Sequence, residues 1–113
     1  MNVPFLDLSA QYETLKVDID AAIAAVIEET AFVRGRFVRE FEASFAETYG
    51  VAHCVGVANG TDAIFITLKM LGIGPGDEVI TVANSWIASS EVISLTGAEP
   101  RFVDIERDYF NMD

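Results

Sequence analysis

Apolar residues at Leu15, Ile19, Ala22, Ile23, Val26 and Ile27 recur at three- and four-residue spacing, with charged or small residues between them. That period predicts an amphipathic helix over 11–29. Phe37, Val38, Phe41, Phe45 and Tyr49 repeat the pattern on a second helix, which Gly50 is placed to end as a left-handed cap. Beyond residue 52 the rhythm changes. The apolar run 53–58 predicts a strand, 61–71 a helix, Gly74-Pro75-Gly76-Asp77 a tight turn, 78–83 a strand, 86–96 a helix and 101–104 a strand. Short, nearly continuous apolar strands alternating with helices predict a mainly parallel sheet covered by helices on both faces, with right-handed crossovers. The fold class is therefore α/β. Residues 1–52 supply N-terminal helices and 53–113 a β-α-β-α-β run, with no internal repeat or low-complexity tract.

Composition narrows the function. The chain has 113 residues, 51% of them hydrophobic, and 8 Phe, which suits one ordinary globular domain or a piece of a larger core. Seven basic and 18 acidic side chains give a net charge of −11. At long range that charge repels nucleic acid and anionic lipid, so neither is an expected partner. No apolar run approaches the roughly 18 residues of a membrane span, and a cytoplasmic location is the expectation. Cys54 is the single cysteine and lies inside an apolar run, which reads as core packing rather than a nucleophile. One Cys and one His cannot build a structural zinc site, and no carboxylate spacing suggests a calcium loop, so no metal is expected.

Chemistry concentrates in Asn59-Gly60-Thr61-Asp62-Ala63. The order strand, glycine turn, helix start is how a phosphate cradle is built, because free N–H groups of a first helical turn and the positive end of the helix dipole both face an anion. An ordinary N-cap has the same signature, and the Asp62 carboxylate opposes an anion unless it turns away. In open parallel sheets ligands gather beyond the carboxyl ends of the strands. The second strand-to-helix turn, Asn84-Ser85-Trp86, puts the only Trp at that edge. Its ring can stack on a heteroaromatic ligand or cap the core. A phosphate cradle beside an aromatic platform suits pyridoxal 5′-phosphate.

Five blocks carry a family resemblance: Phe5-Leu6-Asp7-Leu8, Phe32-Val33-Arg34-Gly35, Gly56-Val57-Ala58-Asn59-Gly60-Thr61-Asp62-Ala63, the segment from Leu71 to Ile80 that includes Gly74-Pro75-Gly76-Asp77, and Gly97-Ala98-Glu99-Pro100-Arg101-Phe102-Val103-Asp104-Ile105. In that order they resemble the amino-terminal part of the DegT/DnrJ/EryC1/StrS sugar aminotransferases, over essentially the whole chain. The resemblance implies the N-terminal portion of the type I fold of pyridoxal-phosphate enzymes, a homodimer, and transfer of an amino group from glutamate to a nucleotide-diphosphate keto sugar. It implies that Gly60 and Thr61 hold the cofactor phosphate through amides and a hydroxyl, that Asp62 contributes its amide, and that Trp86 stacks on the pyridine ring. Arg34 and Arg36 match a segment near the substrate pocket, while an ion-paired or solvated pair is the competing reading of both.

Transamination also needs a lysine amine for the Schiff base and a carboxylate beside the pyridine nitrogen. The resemblance places both beyond this sequence, and neither Lys16 nor Lys69 matches the lysine position. No catalytic residue is therefore expected in the chain, which reads as the first part of a longer enzyme, inactive alone. The resemblance further implies that strands from later sequence separate the first strand from the next two. Rivals are an aminotransferase-like sugar-nucleotide binding or regulatory protein and a sugar dehydratase using the same cofactor. A small Rossmann-like domain is disfavoured, because Gly56, Gly60 and the residues after them do not form G-x-G-x-x-G and Ala83-Asn84 stands where an acidic residue is expected.

Overall fold

The computed structural model describes residues 4–113. The chain divides into two compact units, one ending at Gly56 and the other starting at Val57.

Two helices make the first unit. Helix α1 spans Leu8–Glu28. Asp7 caps it, its Oδ1 accepting from the Ala10 amide at 2.9 Å, which satisfies one orphan donor of the first turn. No residue of α1 is buried. Its surface carries a polar chain in which Lys16 donates to Tyr12 Oη at 3.0 Å and to Asp20 Oδ2 at 2.5 Å. Helix α2 spans Arg36–Tyr49 and ends at Gly50, with φ 64°. The Val51 amide reaches back to the Ala46 carbonyl at 3.0 Å, closing the expected glycine cap. One face of α2 bears Phe41, Phe45 and Tyr49, with ring centroids 5.7 and 4.5 Å apart along the row.

The run 53–58 departs from expectation: it forms no strand. Its Gly56 amide instead donates to Glu42 Oε1 on α2 at 2.7 Å. A strand is defined by the neighbour that takes its N–H and C=O groups, and among the described residues none pairs with this run. The expected β-α-β-α-β order is thereby reduced to α-β-α-β.

In the second unit, helix α3 is Gly60–Met70, strand β1 Glu78–Val82, helix α4 Ala88–Thr96 and strand β2 Glu99–Val103. The strands pair in parallel, Glu78 opposite Glu99 through Val82 opposite Val103. Arg101 on β2 donates through Nε to Glu78 of β1 at 2.8 Å, on the same face as Glu99. Helix α4 packs on α3 and on both strands and supplies most of the interior: Ala88, Val92, Ile93 and Thr96 are buried, with Ala98 beside them. Covering of the sheet is partial, since Ile80 and Phe102 are each 56% exposed.

The turn before β1 follows the residue types. Pro75 and Gly76 occupy its centre, Gly76 with φ 95°, and the Asp77 amide closes it onto the Gly74 carbonyl at 3.1 Å. Positive φ at the third position is the type II requirement that glycine meets. The Pro75 ring lies against Gly97, where an added Cβ would come within 2.9 Å of Pro75 Cγ.

Candidate cofactor phosphate site

Asn59 is extended, with φ −163° and ψ 176°, and the chain enters α3 at Gly60. Asn59 Oδ1 accepts from the Asp62 amide at 2.9 Å, and Nδ2 donates to Asp62 Oδ2 at 3.0 Å. The Asn59 carbonyl accepts the Ala63 amide at 3.1 Å, the first bond of the helical ladder. Of the first-turn donors, the amides of Gly60 and Thr61 have no acceptor within the helix, by the geometry of any helix start. Thr61, which adds a hydroxyl to the same turn, is half-buried. Two amides, one hydroxyl and the positive helix end suit a phosphate.

Gly60 sharpens that reading. A Cβ built on it meets nothing within 4 Å, and its φ is not positive. Neither packing nor backbone strain requires glycine there, although glycine weakens a helix relative to alanine.

The second expected element is Trp86. Helix α4 starts two residues later than the expected 86, at Ala88. Trp86 stands in the turn before it, its carbonyl accepting from the Ser89 amide at 3.0 Å. The indole is 78% exposed, so it does not cap the core. The Ser85 and Ser89 hydroxyls are bonded to each other at 2.9 Å across the same turn. Helices α3 and α4 lie side by side, and Lys69 near the end of α3 donates to the Thr96 carbonyl at the end of α4, 3.1 Å away. Trp86 stands just before α4, as Asn59 stands just before α3.

Asp62 differs in part from the reading of its amide as a phosphate donor. That amide is already bonded to Asn59 Oδ1. The sequence offered Asn59 as an ordinary N-cap, which it is, and did not show its second bond to the Asp62 carboxylate.

In the first unit, Arg36 is fully committed. Its Nε and Nη2 donate to Glu29 at 2.8 and 2.7 Å, Nη1 to Glu40 at 3.2 Å, and the guanidinium lies 4.1 Å over the Phe37 ring. The Glu29 hydrogen bonds, then those of Glu40, push its pKa up, and Arg36 in turn holds Glu29 below its ordinary value. The ion-paired reading is the one observed for Arg36. Arg34 is exposed with φ 48°, and Arg39 Nη1 donates to its carbonyl at 3.1 Å. The lysines are also engaged: Asp20 and then Tyr12 raise the pKa of Lys16 by hydrogen bonding, and Lys69 serves Thr96. Among the described residues no cluster of His, Cys, Asp and Glu could hold a metal, and no helix is long and apolar enough to cross a membrane.

Residues 13–113 match the model of the DegT/DnrJ/EryC1/StrS aminotransferase family. The chain belongs to that family. Among relatives of this aminotransferase family, a pleiotropic regulatory protein of Geobacillus stearothermophilus is 46% identical over 113 residues, covering 100% of this chain and 30% of its own length. The dTDP-3-amino-3,4,6-trideoxy-alpha-D-glucose transaminase of Streptomyces venezuelae is 46% identical over 111 residues, covering 98% of this chain and 29% of its own. The solved structure of S. venezuelae DesV with a ketimine intermediate superposes with a TM-score of 0.92 at 46% identity, over 98% of this chain and 30% of that one. Other solved members carry pyridoxal phosphate or its amine form. The fold is thus that of the N-terminal part of these aminotransferases, and the chain spans about 30% of the length of the relatives it matches.

Proposed function

We propose that this chain forms the phosphate-holding and ring-stacking part of a pyridoxal-phosphate aminotransferase that moves an amino group from glutamate to a nucleotide-diphosphate keto sugar. The observation that carries the reading is the open first turn of α3. Gly60 leaves room, and the Gly60 and Thr61 amides lack intrahelical acceptors, in a chain 46% identical to a named sugar transaminase. When bound, pyridoxal phosphate supplies an electron sink for the amino-group transfer. The chain's own residues hold and orient. Amides 60 and 61 and the Thr61 hydroxyl would hold the phosphate, and the exposed indole of Trp86 would stack on the ring and shield it from water. Asp62 acts through its place in the cap. Arg34 is the arginine of its loop left to face an anionic substrate, since Arg36 is spent on Glu29 and Glu40. Homodimer assembly and a cytoplasmic location belong to the same proposal. The intact enzyme carrying this chain is expected to show a long-wavelength cofactor band that borohydride abolishes. A colourless protein that binds no pyridoxal phosphate overturns the proposal.

A second reading has its own support, because a relative matched over the whole chain at 46% identity is named a regulatory protein. A binding or regulatory protein would keep the phosphate grip and lack turnover. A cofactor band with no amino transfer from glutamate to any nucleotide-linked keto sugar favours it.

A further inference from the structure

The first turn of α3 contains a contradiction that the side chains resolve. An aspartate at the third helical position is well placed to fold back over the first-turn amides and to offset the helix dipole. In that position Asp62 would compete with a phosphate for the donors of Gly60 and Thr61. Instead, Asp62 Oδ2 accepts from Asn59 Nδ2 at 3.0 Å, while Asn59 Oδ1 takes the Asp62 amide at 2.9 Å. The carboxylate is tied to the capping side chain.

We infer that Asn59 is a positioning residue for the phosphate site: its carboxamide nitrogen tethers the Asp62 carboxylate, leaving the amides of Gly60 and Thr61 for the anion. The inference rests on the reading of this turn as the cofactor phosphate site. The Asn59 carboxamide does both jobs here, accepting from an amide through its oxygen and donating to a carboxylate through its nitrogen. Serine retains the cap and lacks the nitrogen that makes the tether. Aspartate retains the cap and adds a second negative charge.

The test separates capping from tethering in the intact enzyme, with pyridoxal 5′-phosphate as the probe and its dissociation constant and the apoprotein Tm as readouts. Asn59→Ser is expected to weaken cofactor binding roughly fivefold with little change in Tm, because serine is nearly as good a cap. Adding Asp62→Ala to Asn59→Ser is expected to restore binding to near the parent value while lowering Tm slightly, since the acidic residue favoured the helix start. Affinity and stability then move in opposite directions, which loss of a merely structural cap cannot produce. Binding in the double variant as weak as in Asn59→Ser overturns this inference and leaves the phosphate site standing. Failure of the parent enzyme to bind pyridoxal phosphate overturns both.

Discussion

The ammonium of Lys69 and the carbonyl of Thr96, 3.1 Å apart, join the C-terminal ends of α3 and α4. The two helices also pack against each other. The bond also sets the Lys69 ammonium at the negative end of the α4 dipole, where a cation is favoured.

Gly60→Ala should separate stability from binding. The new methyl group meets nothing within 4 Å of the protein, so Tm should hold or rise by the gain in helix propensity. Pyridoxal phosphate affinity in the intact enzyme should fall at least tenfold. Titration of both proteins with the cofactor, followed by thermal melts of the apo forms, checks the pair of outcomes.

Thr61→Ala removes a hydroxyl from the same turn. The expected loss is roughly 1–3 kcal/mol of cofactor binding, the range of a hydrogen bond to a charged group. Equilibrium dialysis of the cofactor measures it, and an unchanged dissociation constant removes Thr61 from the grip.

Trp86→Ala should weaken cofactor retention by about 1 kcal/mol, the contribution of a stacked aromatic pair. With 78% of the residue exposed, the apo enzyme should melt at nearly the parent temperature. A large fall in Tm would instead mean that the indole supports packing.

Gly97→Ala is expected to destabilise by about 1–3 kcal/mol without touching the site, for two reasons that add. Its φ of 91° strains any residue with a Cβ, and that Cβ would press to 2.9 Å from Pro75 Cγ. Urea denaturation of the intact enzyme reports the change, and Pro75→Ala in the same background should recover part of it.

Acid should weaken the surface ion pairs in a defined direction. Arg36 holds Glu29 below its ordinary 4.5, and Arg101 does the same to Glu78, in both cases chiefly by hydrogen bonding. A carboxylate depressed in the folded state contributes stability above its unfolded value and loses it as pH falls through the folded one. Both contributions are therefore intact above about pH 4.5 and decline below it. Glu29→Gln should flatten the decline in Tm measured between neutral pH and pH 3, by a small amount because the groups are exposed.

The helices, the glycine cap of α2, the Gly74–Asp77 turn and two of the three strands were legible because each is written in local residue types. Gly50 and Gly76 both take the left-handed backbone that their positions require. The strand expected at 53–58 did not form. Apolar content records burial, whereas strand structure depends on a neighbour, and here the Gly56 amide finds Glu42 instead. The helix start at Asn59-Gly60-Thr61 could be read from its residue types. The fate of the Asp62 carboxylate could not, because spacing alone does not say whether a side chain bonds its cap or bends back over the turn. The two arginines illustrate the same limit. Arg34 and Arg36 look equivalent in sequence, and only the placement of Glu29 and Glu40 tells them apart.

Concentration of the interior in α4, where Val92 has no exposure and Ile93 only 2%, divides the chain by mutational tolerance. Substitutions along α1, which buries no residue fully and leaves only Ile19, Ala25 and Val26 half-buried, disturb packing less within its unit. One altered methylene at Val92 or Ile93 is felt by α3 and both strands at once, and through them by the helix starts that the proposed chemistry depends on.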